Sequence, residues 1–346
     1  MNKTLKNILT VAVSLLIAVG LMYLVSRKLG GDFIEKTVSV VKRANYLWIG
    51  AAAFFGIMAY WIRAVRWNLL LEPMGYKIKN SHALWSLSFG YFLNLGIPRM
   101  GEIGRATALQ TVEDVPFSNS FGTVITERII DLFFMLLFLA LSMIFNYAAI
   151  FSAILSFFDL FRGGDPSKEK SYVLYYVLAG VVLLVLIVVI IFRKALIKLP
   201  LTQRILSIFR GIVRGVISVF KLRQRVKFIF LSFGIWICYY FASYLIVFAL
   251  PETSFVPPQT GFYIIAIGTL GMLVPASGGI GAYHIAMMIG FSALFLSLGR
   301  SPEEGKEVGY SYALLSHTLQ LVIMIVMGLI SIVMLAKSKK RIAVKN

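Results

Sequence analysis

The sequence predicts an all-α polytopic membrane protein. Three observations carry this: 59% of the 346 residues are hydrophobic, the mean hydropathy is +0.84, and the apolar residues fall in long unbroken runs. A soluble domain is nearer half apolar, with polar faces interrupting each run. Only helices and closed barrels satisfy their backbone polar groups in lipid, and these runs are too long and too uniformly apolar for alternating barrel strands. About six full transmembrane helices are expected, plus two broken or re-entrant helical hairpins, or eight spans if the hairpins are counted. The whole chain, 1–346, reads as a single membrane domain built as an inverted-topology repeat.

The first span, 8–25, follows Lys3 and Lys6 and ends in Ser26, Arg27 and Lys28. It is longer than a signal-peptide core and lacks a small-residue cleavage site, so it reads as retained. Residues 27–45 read as an amphipathic interfacial helix using Phe33, Ile34, Val38 and Val41. Further full spans are predicted at 46–66, 121–145, 172–192, 228–250 and 309–336, each near the ~20 residues that cross a bilayer. Two apolar stretches stop early, 83–97 at Pro98 and 260–274 at Pro275, and a glycine-rich knot follows each. The segments 146–171 and 299–308 read as outer loops of mixed charge.

The formal net charge is +19. The basic residues lie between apolar runs, where they set topology and meet anionic headgroups, so nucleic acid is not an expected partner. The segment 193–227 is rich in lysine and arginine without an acidic residue, and the tail carries Lys337, Lys339, Lys340, Arg341 and Lys345. By the positive-inside rule both are cytoplasmic, and so is the N-terminus. With one cysteine, Cys238, and three histidines at no metal-binding spacing, neither a metal nor a cofactor is expected. No loop is long enough for a soluble catalytic domain.

A duplication organises the chain. Residues 98–106 align without gaps to 275–283, with proline, glycine, isoleucine and glycine recurring at Pro98/Pro275, Gly101/Gly278, Ile103/Ile280 and Gly104/Gly281. Two spans precede each knot and one follows. The halves, 1–146 and 172–346, would then face opposite ways, the plan of many secondary transporters. Proline ends a helix because it lacks an N–H, and the glycines let the chain turn with its backbone bare. The next helix would start with free N–H groups and a positive dipole end, which suits phosphate.

Ionisable residues inside a bilayer are costly and usually functional. The first knot carries Arg99, Gly101, Glu102 and Arg105; the following span carries Glu127, Arg128 and Asp131. Arg99 and Arg105 are the expected phosphate ligands, because the guanidinium fork matches phosphate. Glu102, Glu127 and Asp131 would hold those arginines or carry a coupling proton, and Arg128 and Asp131, three apart, can pair. At the second knot Pro275, Gly278, Gly279 and Gly281 are the candidates, with His284 after it as a structural residue or a proton carrier. His317 and Gln320 on the last span, and Tyr239, Tyr240, Ser243 and Tyr244 on the fifth, are expected to line a polar interior.

The ordered set Asn94, Pro98, Arg99, Gly101, Glu102, Arg105, then Glu127, Arg128, Asp131, then Pro275, Gly278, Gly279, Ile280, Gly281 resembles the flippase-like membrane proteins related to the transmembrane region of lysylphosphatidylglycerol synthase. The resemblance covers nearly the whole chain. It implies a lipid-translocating fold in the bacterial inner membrane. The larger synthases add a soluble aminoacyl transferase domain that this chain lacks, so synthase activity is not expected. The leading expectation is a flippase, not an enzyme, for an aminoacyl-phospholipid, a polyprenyl phosphate or a glycolipid. Its partners would be anionic membrane lipids and possible further copies of itself. Two alternatives stand beside it: an intramembrane hydrolase using Ser277 and His317, and an accessory subunit of a lipid-linked glycosyltransferase system.

Overall fold

The structure, a computed structural model, describes residues 13, 16, 19–27, 32–97, 100–161, 222–274 and 276–345. The predicted span 172–192 and Pro98, Arg99 and Pro275 lie outside the described residues. The chain divides into a unit of residues 1–157 and 222–346 and a second unit of residues 158–221. In the second, residues 158–161 are described, and they are helical.

Every regular element among the described residues is helical. After a helical stretch at 19–27 come α1 (Phe33–Arg43), α2 (Tyr46–Leu71), α3 (Asn80–Gly96), α4 (Met100–Glu113) and α5 (Phe117–Phe161). Then follow α6 (Arg225–Tyr244), α7 (Thr260–Gly271), α8 (Ala282–Ser297) and α9 (Pro302–Lys345). Among the described residues five stretches are long and apolar enough to cross a membrane: Tyr46–Met74, Phe117–Ile154, Arg225–Ala249, Ser277–Ser297 and Pro302–Ser338. The part of the second hairpin that follows its knot is therefore long enough to span by itself, and only α7 is short.

Local chemistry sets the boundaries. The Asn45 side chain caps α2 by accepting from the Leu47 N–H at 3.1 Å. Gly75, with φ +91°, ends the 3-10 turn that follows α2. The expected loop at 299–308 is instead helical from Pro302. Proline suits a first helical position, and Ser301 Oγ accepts from the Glu304 N–H at 3.4 Å. The expected end of a span at 145 is not a helix end. The chain leaves helical geometry at Asn146 alone (φ −136°, ψ 37°) and continues as helix to Phe161. The Asn146 amide explains that break, since its Nδ2 donates to the Gln259 carbonyl at 3.2 Å and its Oδ1 accepts from Thr260 Oγ1 at 3.3 Å. In α1, Val40 is buried in the core while Val38 and Val41 are exposed.

Contacts along α2 order the bundle. Helix α6 runs antiparallel to it: Arg66 lies beside Phe228 and Ser232, and Phe55 stacks on Phe241 at 4.9 Å. Helices α3 and α4 pack as an antiparallel hairpin. Asn94 binds Gly101, and Gly90 faces Arg105. Its open end lies where α2 finishes, because Asn68 bonds Asn80 and His82 Nδ1 meets Glu113 at 2.6 Å. Helices α7 and α8 form a second hairpin, with Gly271 against Ala286 and Tyr263 Oη donating to the Gly290 carbonyl at 2.6 Å. Its open end lies where α2 begins, with Ala249 and Phe248 of the preceding 3-10 turn against Asn45 and Trp48. The open ends of the two hairpins thus lie at opposite ends of α2.

The bends of the hairpins approach each other. A Cβ at Gly278 would lie 3.7 Å from Leu95 Cδ2 in the last turn of α3 and 3.5 Å from Leu321 Cδ2 of α9. The two knots nevertheless differ, despite their aligned sequences. The helix resumes two residues after Pro98, at Met100, but seven residues after Pro275, at Ala282. Gly101 is therefore a helical residue, and a Cβ there would sit 2.5 Å from the Gly90 carbonyl oxygen. Its role is close helix packing. Gly278, Gly279 and Gly281 instead take φ of +59°, +76° and +80°, which L side chains rarely adopt. The same residue type solves two different steric problems.

Candidate functional site

Helices α2, α3, α4 and α5 bring together a buried charge cluster. Arg63 and Arg66 come from α2, Arg105 from α4, and Glu127 and Asp131 from α5; all but Asp131, which is about nine-tenths buried, are 5% exposed or less. Glu127 stands ten residues into α5, about 15 Å from its start at 1.5 Å per residue, within the stretch Phe117–Ile154. Asp131 accepts from Arg63 Nη2 through Oδ2 and from Arg66 Nη2 through Oδ1 at 2.9 Å. Glu127 accepts from Arg105 Nη2 and lies 3.5 Å from Arg66 Nη2. Tyr91 Oη accepts from Arg63 Nη1 at 2.8 Å, and Ser232 Oγ from Arg66 Nη1 at 3.3 Å.

Aromatic rings complete the cage. The Arg105 guanidinium lies 4.8 Å from the Trp67 ring centroid, that of Arg66 lies 5.6 Å from Phe228, and that of Arg63 lies 5.9 Å from Tyr239. Trp67 is itself fixed by donating from Nε1 to Thr123 Oγ1 at 2.8 Å. At the rim, Arg128, about half exposed, donates to Glu102 Oε1 at 2.7 Å. Arg128 therefore pairs with Glu102 and not with Asp131, as its spacing had suggested; Asp131 is taken by α2.

Among the described residues the charges of this cluster do not balance. Three guanidinium groups face two carboxylates, which leaves one positive charge in excess, and the Glu102–Arg128 pair is neutral. Nε of Arg63, of Arg66 and of Arg105 has no hydrogen-bond partner, and neither have Oε1 of Glu127 and Oε2 of Glu102. Buried donors are normally satisfied, so three guanidinium N–H groups left over around one uncompensated charge are suited to an anion. A cavity that Arg105 lines, with Leu87, Tyr91, Asn94, Glu102 and Arg128 but neither Arg63 nor Arg66, measures ≈ 10 Å³. That holds about one water and no lipid headgroup.

The sequence reading singled out Arg105, Glu127 and Asp131, which the fold brings together, and Glu102 and Arg128, which it places at the rim. Arg63 and Arg66 are not among the candidates that the sequence singles out, because cations near the end of a span ordinarily set topology. Their signal was present: at positions 63 and 66 they share a helix face, as do Glu127 and Asp131 on α5. The anion site expected at the start of α4 includes Arg99, which lies outside the described residues. The Gly101 N–H donates to Asn94 Oδ1 at 2.7 Å and the Met100 N–H to the Ile97 carbonyl at 3.2 Å, so the first two amides of that helix are occupied.

The second knot carries a different group. His284 and His317, both buried, meet edge to face with ring centroids 5.3 Å apart, and Tyr283 stacks on His317 at 5.2 Å. His317 Nε2 lies 2.8 Å from the Gly278 carbonyl oxygen. A carbonyl only accepts, so Nε2 carries the hydrogen and donates. That nitrogen is then not free to take a proton from Ser277. Gln320 is exposed and does not share the interior with His317. Tyr239 adjoins Arg63, whereas Tyr240 and Tyr244 donate to the Pro258 and Val256 carbonyls at 2.5 and 2.8 Å and pin the approach to α7. Among the described residues the ring neighbours of His284 are Tyr283, Tyr310 and His317, none of them in the arginine cluster.

Comparison with known proteins agrees with a membrane chain of this kind. It is 27% identical over 135 residues to the UPF0104 membrane protein MJ1595 of Methanocaldococcus jannaschii, covering 37% of this chain and 40% of that one. It is 27% identical over 116 residues to the UPF0104 membrane protein PH1989 of Pyrococcus horikoshii, covering 32% and 35%. Over 99 residues it is 25% identical to the glycosyltransferase AglD of Haloferax volcanii, covering 28% of this chain and 16% of that one. The matched parts thus span less than half the length of each of these relatives. No solved structure matches. Residues 11–333 match the family described as the lysylphosphatidylglycerol synthase TM region, so this multi-pass membrane protein belongs to that family.

Proposed function

We propose that the protein is a transporter that moves a phosphate-bearing lipid across the cell membrane, with the headgroup passing the Arg63–Arg66–Arg105 cluster while the acyl or prenyl tails stay in lipid. The observation that carries this is the excess buried positive charge with three unpartnered guanidinium Nε donors inside apolar, span-length helices. A passive ion-pair network would be expected to balance its charges, because an uncompensated buried charge is expensive. A lipid phosphodiester supplies the missing charge and accepts from the free N–H groups.

The opposed hairpins support alternating access. Their open ends lie at opposite ends of α2, and Gly278 of one lies near Leu95 of the other. We read them as the two arms of an inverted repeat, 1–146 and 172–346, that rocks about this contact. With the end of the bundle where α2 finishes placed in the cytoplasm, as the lysine and arginine distribution requires, the first hairpin opens inward and the second outward. The glycosyltransferase relative makes a role beside lipid-linked sugar transfer a reasonable second context.

The test is lipid movement in proteoliposomes, read as loss of fluorescence of an NBD-labelled phosphatidylglycerol to an impermeant reductant. Wild type should move this probe faster than NBD-phosphatidylcholine. Arg105→Lys keeps a charge against Glu127 but loses the planar fork, and should slow movement about tenfold, equivalent to about 1.4 kcal/mol. Equal rates for the two lipids, or an unaffected Arg105→Lys variant, would refute the reading. Ser277→Ala should leave movement intact; its loss would favour a hydrolase.

A further inference from the structure

We propose that His284 is a proton-binding site, and that a proton taken up there travels with the anionic headgroup and couples its movement to the pH gradient. This rests on the lipid-transport reading above and adds the identity of the coupling ion.

His284 is 5% exposed, and its Nδ1 is buried with no hydrogen-bond partner. With hydrogen on Nε2, Nδ1 presents a bare lone pair, which is a place for one proton and nothing larger. The titratable groups that face it are His317 and Tyr310 of α9 and Tyr283 of its own helix. The 19–27 stretch brings Leu21 and Val25 to this region, and neither can ionise. No carboxylate is among the described contacts of the ring, so an imidazolium there lacks a counter-charge in this conformation. A buried charge without one is expensive, so a proton held there favours a different arrangement of the groups around the second bend.

The geometry also gives the proton something to move. His317 touches His284 edge to face and holds the second bend by donating to the Gly278 carbonyl. Gly278 lies near Leu95 in the last turn of α3, where a Cβ on it would be 3.7 Å from Leu95 Cδ2. One residue earlier, Asn94 accepts from the Gly101 N–H at the start of α4, the helix that carries Arg105. A positive charge on His284, 5.3 Å from the His317 ring by centroid, acts directly on the group that fixes the second bend. The proton site and the headgroup site are therefore joined through packed and hydrogen-bonded residues. A ligand shifts such an equilibrium only by binding one arrangement better, and here the favoured arrangement is the one that holds both proton and phosphate.

The experiment measures NBD-phosphatidylglycerol movement by the full-length protein in phosphatidylcholine vesicles, with and without an imposed gradient of one pH unit, with internal pyranine reporting proton entry. For wild type the ratio of rates, gradient to no gradient, should be at least threefold in one direction of the gradient, with proton entry that requires the anionic lipid. His284→Gln should bring the ratio to one and abolish lipid-dependent proton entry. His284→Asn, a smaller non-titrating replacement, serves as the second variant should the first fail to fold. A folded variant that keeps the wild-type ratio overturns the proposal. Wild type that moves lipid with a ratio of one overturns the proton site and leaves the transport reading standing. Wild type that moves no lipid in either condition overturns both.

Discussion

Glu127→Gln tests whether the buried charges act as one network. Glu127 is 1% exposed and lies between Arg105 and Arg66, with its Oε1 3.5 Å from Arg66 Nη2. At an effective dielectric constant of about 20, a pair at 3.5 Å is worth 332/(20 × 3.5), about 5 kcal/mol, and the Arg105 pair is worth at least as much. Against this, glutamine needs no desolvation of a carboxylate, which offsets several kcal/mol. The excess buried charge rises from one to two. The net expected loss is about 3–5 kcal/mol, the range found when one partner of a buried pair is removed. Unfolding in mixed micelles by increasing SDS, followed by tryptophan fluorescence, reads it. The double variant Arg105→Gln with Glu127→Gln restores an excess of one, since two guanidinium groups then face one carboxylate. It should cost about 1–3 kcal/mol less than the sum of the singles. A Glu127→Gln variant within about 0.5 kcal/mol of wild type, or singles that simply add, would refute an interdependent cluster.

Two glycine substitutions separate the two bends. Gly101→Ala places a Cβ 2.5 Å from the Gly90 carbonyl oxygen and the Asn94 amide, so it should destabilise by about 1–3 kcal/mol in the same SDS titration; Gly122→Ala, with nothing within 4 Å of the new Cβ, should be neutral or gain up to about 1 kcal/mol. Gly281→Ala meets both a φ of +80° and Leu21 Cβ at 2.5 Å, and should cost about 2 kcal/mol or more; thermal aggregation in detergent at or above the wild-type temperature would contradict that conformation.

The charge cluster was half legible. Arg105, Glu127 and Asp131 stand out because an ionisable residue in an apolar run demands an explanation. Arg63 and Arg66 do not stand out, since cations near the end of a span are the commonest topology signal. Only the packing of α5 on α2, with Asp131 reaching both arginines, shows that these two face inward. The Arg128–Asp131 pair that helical spacing allows is absent because α4 offers Arg128 a carboxylate at 2.7 Å and α2 offers Asp131 two guanidinium groups. Likewise the aligned knots suggested one backbone for two places. Asn94 decides otherwise in the first by capping α4 early, and positive φ at Gly278, Gly279 and Gly281 delays the helix in the second.

By itself the amino-acid order determined the solvent, the helical class, the two interrupted helices and which stretches contain charges that lipid would reject. These follow from local properties: run length, the missing N–H of proline and the cost of a charge in hydrocarbon. Tertiary structure alone decided which charges meet, that among the described residues one positive charge is left over, that Gly278 lies near Leu95, and that the buried rings of His284 and His317 meet. The reason is that Coulomb pairing and close packing depend on distance between residues far apart in the chain, and helical periodicity fixes only a residue's face, not its neighbour.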